Sequence, residues 1–249
     1  MSIEMRDVHK AFGETKVLQG FTLDVPDGEV VTVIGPSGSG KSTMLKTIIG
    51  LLEPDQGEVR VDGENVHELG LDGLYALRRK VGYVFQFAAL FDSMTVEQNV
   101  AMALKRMPGL SPAEIHERVE EVLAHVDLEG VGHRYPAELS GGMKKRAGLA
   151  RAIALSPRYL LYDEPTTGLD PLTVTMVDRL ILRMRDQLGV TSLVITHDIE
   201  SAYRISDHIA MLYDGRVLEV GTPEEIRASQ VPRVRAFMEG KPELLEEAE

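Results

Sequence analysis

A short apolar run, Glu29 to Ile34, ends in Gly35-Pro36-Ser37-Gly38-Ser39-Gly40-Lys41-Ser42, and a stretch of helical character follows to about Leu51. No other feature constrains the fold as much. The loop matches G-x-x-x-x-G-K-[ST], which arises by chance in roughly one chain in a hundred of this length at ordinary residue frequencies. Its glycines let the backbone curl so that several N–H groups point inward. The start of the helix adds partial positive charge. Lys41 has the reach for the β- and γ-phosphates of a nucleotide. The Ser42 hydroxyl suits Mg²⁺, and Thr43 completes a candidate nucleotide-binding set running from Gly35 to Thr43.

The rest of the chain alternates strand and helix around this loop. Ile3 to Val8 and Phe21 to Val25 read as strands, with Asp27-Gly28 as a turn before the apolar run. Gly57 to Val61 is another strand, closed by the turn Asp62-Gly63. Residues 88–155 differ and read as an all-helical insert. Ser111-Pro112-Ala113-Glu114 is a capped helix start, and Val119, Val122, Leu123 and Val126 follow at helical spacing. Ser140 opens a helix that runs to Leu155 and is stopped by Pro157. Alternation then resumes with Tyr159 to Tyr162, a helix capped by Asp170-Pro171 and ended by Gly189, and Ser192 to Thr196. That helix should bury Val174, Val177, Leu180, Ile181, Met184 and Leu188. A hairpin turns at Asp214-Gly215, and Thr222-Pro223-Glu224-Glu225 starts one more helix. Alternation of this kind predicts a mainly parallel sheet with helices on both faces. The acidic stretch Glu243 to Glu249 is expected to fray.

Composition removes several classes of function. A net charge of −12 makes the chain a poor non-specific partner for nucleic acid, so none is expected, and phosphate must be gripped by local loops. There is no cysteine, hence no disulfide framework or thiolate metal site. The charged N-terminus lacks the apolar core of a signal peptide, and no apolar run approaches the ~20 residues that span a bilayer. A soluble chain that stays in the compartment of its synthesis is expected.

Two further stretches carry chemistry. The strand Tyr159 to Tyr162 ends in Asp163-Glu164. Asp163 is placed to hold Mg²⁺ through water, and Glu164 to take the proton of an attacking water. Leu139-Ser140-Gly141-Gly142 precedes the basic helix start Met143-Lys144-Lys145-Arg146 and forms a second anion-binding turn. Both turns can clamp one γ-phosphate only from opposite directions. The spacing therefore suggests a head-to-tail pair of chains, with each nucleotide between the Gly35–Ser42 loop of one and the Ser140–Gly142 turn of the other. Taken alone, the second turn also reads as a glycine-rich helix cap.

In order and spacing, the GPSGSGKS loop, the LSGG turn and LLYDEPTTGLDP resemble the nucleotide-binding subunits of ABC transporters, across about residues 2–230. The resemblance implies an α/β fold with a RecA-like P-loop core, an N-terminal antiparallel β subdomain and an inserted α-helical subdomain. It divides a single domain, 1–240, into a core at about 1–87 and 156–225 and a helical part at about 88–155. A C-terminal helical extension with the acidic tail covers 226–249. It also implies ATP and Mg²⁺ as ligands, and an ATPase coupled to transmembrane transport. The expected place is cytoplasmic, on the inner face of the cell membrane, held there by permease subunits.

By matching position, Phe12 is similar to the aromatic that stacks on adenine. Gln86 resembles the glutamine that touches Mg²⁺ and the attacking water, and that opens a permease-contacting segment at about 86–100. Asp170 resembles the residue that crosses the dimer, and His197 the switch histidine near the γ-phosphate. Phe12 also reads as a core side chain, Gln86 and His197 as satisfied polar residues at strand ends, and Asp170 as a plain helix cap. Gly168 stands where many members of the family have alanine.

The segment after Gln86, the Met143–Arg146 run and the stretch from Val231 to Gly240 resemble the Mla-type and Mkl-type ATPases of Mce-linked phospholipid transport. The partners this implies are a multi-span permease and an Mce-domain lipid binder; Phe87, Leu90 and Phe91, apolar for a surface loop, read as a docking patch for the permease or as plain core. The main alternative is a polar amino-acid importer. An ABC ATPase without a channel is more remote, because such proteins carry two cassettes or long coiled coils. A GTPase switch lacks any place for the LSGG turn.

Overall fold

The computed structural model describes residues 2–241. The chain starts with β1 (Ile3–Phe12) and β2 (Thr15–Val25), an antiparallel pair, and then β3 (Val30–Ile34), which delivers the phosphate loop. Next come α1 (Lys41–Ile48), β4 (Gln56–Val61), β5 (Glu64–Asn65), α2 (Leu71–Lys80) and β6 (Val81–Val84). The helical insert holds α3 (Val96–Leu104), α4 (Pro112–His125) and α5 (Gly141–Ile153). It is followed by β7 (Tyr159–Asp163), α6 (Pro171–Leu188), β8 (Thr191–Thr196) and α7 (Ile199–Ile205). The hairpin β9 (His208–Tyr213) and β10 (Arg216–Gly221) leads into α8 (Pro223–Arg227) and α9 (Pro232–Glu239).

Two sheets form. One is antiparallel, in the order β2-β1-β4-β5. The other has the order β10-β9-β3-β8-β7-β6, parallel throughout except for β10 at its edge. β3 and β8 lie near its centre with every residue buried, which explains why they read as unbroken apolar or β-branched runs. The sheets meet where the Asp214–Gly215 turn packs on β2. There the Gln19 N–H donates to Gly215 O at 2.9 Å, and a Cβ on Gly215 would stand 2.7 Å from Val17 O. Only glycine closes that contact.

The core divides accordingly. Residues of β1, β2, β3, β4 and α1 make one cluster. The helices α3, α4, α5 and α6 make another against β7 and β8. A third, with Ala202, Ile226 and Val234, seats α7, α8 and α9 on β9. The capping boxes at Ser111 and Thr222 form as the sequence predicts. α6 begins at the Asp170 cap and ends at a left-handed Gly189.

Some expectations need correcting. α1 stops at Ile48 rather than Leu51, because Gly50 turns the chain with φ 62°. The buried face of α6 ends at Met184. Leu188, in the last turn before the chain leaves for β8, is 38% exposed. α2 and β6 were not foreseen. The stretch Glu243 to Glu249 lies outside the described residues. Among the described residues, no helix is long and apolar enough to cross a membrane.

Candidate active site

Parallel pairing gathers the candidate residues at one end of the sheet. β7 lies between β6 and β8, and β8 between β7 and β3. Gly35, Gln86, Asp163, Glu164 and His197 all follow or end the carboxyl ends of these neighbouring strands, the usual ligand crevice of an open parallel sheet. An open cleft of about 500 Å³ forms there. It is lined by Phe12, Val17, Ser37, Gly38, Gly40, Lys41, Ser42, Thr43, Gln86, Asp163, Glu164 and His197. Phe12 is 49% exposed, so it is not a core side chain. Val17 went unforeseen because nothing in an exposed stretch of β2 marks it out. A second groove of about 330 Å³ beside α2 and α3 is lined by apolar side chains such as Tyr75, Met102 and Met107 and by Arg78, Arg79, Arg106 and Arg151, and it holds neither the glycine loop nor the paired carboxylates.

The loop is built for an anion. Gly40 caps α1 in a left-handed conformation, φ 105°, and no side chain takes the first N–H groups of the helix. A Cβ on Gly40 would meet Val17 O at 2.8 Å. Lys41 is buried, and its ammonium donates to Gly35 O at 2.7 Å and Pro36 O at 2.9 Å. Gly35, Pro36 and Ser39 thus form the frame of the loop rather than the cleft wall. Burial draws the Lys41 pKa below the usual lysine value, and the nearby Glu164 and Asp163 carboxylates oppose that shift. The buried Ser39 hydroxyl has no hydrogen-bond partner.

Asp163 is held from two sides. Ser42 Oγ donates to Oδ1 at 3.2 Å, and the Tyr83 hydroxyl donates to Oδ2 at 3.0 Å. Burial, with the Asp163 charge behind it, pushes the Tyr83 pKa far up, so the phenol remains a donor. Glu164 Oε2 lies 2.7 Å from His197 Nδ1 and accepts from Thr167 Oγ1 at 3.1 Å. Tyr83 and Thr167 were missed because lone hydroxyls near strand ends carry no pattern. In the sequence Lys145 belongs to a basic helix start. It is instead buried and donates to the main-chain carbonyls of Gln86 and Glu164.

Ser140, Gly141, Gly142 and Asp170 do not line the cleft. Ser140 and Gly141 are exposed, and Ser140 caps α5 by accepting from the Met143 N–H at 3.3 Å. Gly142 packs on Thr173, whose N–H and hydroxyl donate to Asp170. The second anion turn and the Asp170 loop are therefore neighbours on one exposed surface.

These residues fit a magnesium–nucleotide. The loop offers uncapped N–H donors and a partnerless hydroxyl, and Ser42 and Asp163 set two hard oxygens side by side. Gln86 can add a third from the facing wall.

Comparison with known proteins agrees. The ABC transporter family model matches residues 18–167. The sulfate/thiosulfate import ATP-binding protein CysA of Synechocystis sp. is 42% identical over 226 residues, covering 91% of this chain and 62% of that protein. The probable ribonucleotide transport ATP-binding protein mkl of Mycobacterium leprae is 39% identical over 241 residues, 97% of this chain and 70% of that one. The intermembrane phospholipid transport system ATP-binding protein MlaF of Escherichia coli K12 is 40% identical over 238 residues, 96% and 88% of the two chains. The chain thus spans less than two thirds of the CysA relative. Among solved structures, the dimeric post-hydrolysis state of the ATP-binding cassette MJ0796, bound to ADP and Pi, superposes with a TM-score of 0.80 at 35% identity, covering 89% of this chain and 98% of that one. A family model that takes in more than half of the sequence, and relatives about 40% identical over nearly all of it, place this chain in the ABC transporter family, among the ATPase cassettes that take ATP with Mg²⁺.

Proposed function

We propose that this chain is the ATP-hydrolysing motor of an ABC transporter that moves phospholipid, working with a permease and an Mce-domain lipid binder. The observation that carries the motor reading is the single cleft that joins Lys41, Ser42, Gln86, Asp163, Glu164 and His197. In this reading Phe12 stacks on the adenine, and the Gly35–Thr43 loop with Lys41 neutralises the phosphates. Ser42, Gln86 and Asp163 hold Mg²⁺, which when bound offsets phosphate charge. Glu164 takes a proton from water as its oxygen attacks the γ-phosphorus and the bond to ADP breaks. His197, bonded to Glu164, keeps that carboxylate at the mouth of the cleft.

A second copy completes the site with Ser140, Gly141, Gly142 and Asp170. The domain division at 88–155, the peripheral place on the inner membrane and the permease contact near 86–100 belong to the same proposal. Phe87, 82% exposed, and the exposed Phe91 support such a contact, while Leu90 packs against the helical core.

The cargo reading rests on the Met143–Arg146 run and on the similarity to MlaF. Identity to CysA favours a second reading, an inorganic anion importer. Purification of the intact complex from native membranes, followed by lipid extraction, separates them. Bound phospholipid is expected. A complex that retains sulfate and no lipid overturns the cargo assignment and leaves the motor assignment standing.

A further inference from the structure

Helix α5 starts at the Ser140 turn and closes on the loop after Gln86 with three residues. The Lys145 ammonium donates to Gln86 O and, at 3.4 Å, to Glu164 O. About one turn on, Gly148 lies so near Ala88 that an added Cβ would stand 3.3 Å from its Cα. About a turn further, Arg151 donates to Ala88 O at 2.7 Å and to Ala89 O at 2.5 Å. Ala88 and Ala89 both hold left-handed backbone, φ 59° and 48°, and Glu164 does so at 51°. For residues with a Cβ this conformation is uphill and persists only where surrounding contacts enforce it.

Lys145 is 8% exposed, and its ammonium donates to main-chain carbonyls. Burial lowers its pKa, opposed by the charges of Glu164 and Asp163. An aliphatic side chain would fill the same space without the cost of burying a charge. The ammonium therefore needs a reason other than packing, and its two acceptors supply one.

We propose that Lys145 is a positioning residue for ATP hydrolysis. Its ammonium fixes the main chains of Gln86 and Glu164 relative to each other and ties both to the helix that begins at Ser140. In the proposed pair of chains the neighbour's nucleotide meets that turn, so the tie relays closure at the start of α5 to the base. This rests on the reading of Glu164 as the base.

The test uses the full chain and compares Lys145→Met, Lys145→Arg and Glu164→Gln in steady-state ATPase assays, with ATP affinity by calorimetry and melting temperature. Lys145→Met removes charge and donors at similar length. It should lower kcat at least about tenfold while KM and ATP affinity stay within about threefold, because a mispositioned base costs turnover and not binding. Lys145→Arg should restore most of the turnover. Should Lys145→Met fail to fold, Lys145→Gln is judged by the same thresholds. Turnover within about twofold of wild type overturns the proposal. So does a parallel collapse of kcat, affinity and melting temperature that Lys145→Arg does not rescue. Glu164→Gln at wild-type turnover instead overturns the base itself, an outcome read from a separate variant.

Discussion

Glu164 follows directly on β7 with its backbone left-handed, which costs a residue with a Cβ roughly 1–2 kcal/mol. The surroundings offset that cost. Its N–H donates to Ile195 O at 3.0 Å, and its Oε2 accepts from Thr167 and meets His197. Lys41 and Lys145 are both buried, both donate to main-chain carbonyls, and in both burial lowers the pKa against the opposing charges of the same two carboxylates, Glu164 and Asp163. Glu164→Gln keeps the size and the acceptor oxygen and removes the basicity. Turnover should fall roughly 10²–10⁴-fold, with ATP affinity nearly unchanged. A coupled phosphate-release assay and calorimetry read the two quantities. Normal turnover would show that another group takes the proton.

At the scale of elements, one buried side chain makes four of the hydrogen bonds that hold the loop from Phe91 to Thr95. Asn99 of α3 is fully buried, accepts from Phe91 N at 2.7 Å, and donates to Phe91 O, Met94 O and Thr95 O at 3.1, 3.2 and 2.9 Å. Asn99→Ala strands these groups and should cost about 1–3 kcal/mol. Urea melts should show a lower midpoint at constant slope, and ATP affinity should hold, because neither Asn99 nor the loop it holds lines the cleft. A midpoint at the wild-type value would mean that water replaces the amide. Elements with local chemistry were legible in the sequence: α6 through Asp170 and Gly189, α4 through Ser111 and Glu114, and the hairpin through Asp214-Gly215. α2 was not, because Gly70 gives its start no side-chain cap and Gly73 interrupts its first turn, and β6 is four residues long. The phosphate loop and Asp163-Glu164 were legible because chemistry demands those residue types. The burial of Lys145 was not, since a lysine facing a carbonyl and one facing water look alike in a sequence.

At the scale of the whole molecule, acid should loosen the fold. Hydrogen bonds from Arg158, Thr173 and Thr222 hold Asp27, Asp170 and Glu225 below their ordinary pKa values. A depressed folded pKa gives stability above the unfolded value that is lost as pH falls through the folded one, so melting temperature should drop below about pH 4. Asp178, raised by burial, runs the opposite way and is outnumbered. Melting curves from pH 7 to pH 3 test this, and a temperature that rose toward acid would refute it. The second consequence concerns assembly. The Ser140 turn and the Asp170 loop share an exposed surface, and beside them Leu172 of α6 is 79% exposed. Apolar side chains next to an anion-binding turn suit a surface that is covered only when a charged ligand arrives with it. Ser140→Arg sits outside the cleft, so ATP should bind the variant as tightly as wild type. The bulk and charge should still block pairing. In a Glu164→Gln background, where ATP is held unhydrolysed, ATP should convert the parent chain to a dimer in size-exclusion chromatography and leave the Ser140→Arg version a monomer. If both dimerise alike, the two glycine turns do not meet across a pair of chains, and the shared-nucleotide arrangement fails while the cleft itself stands.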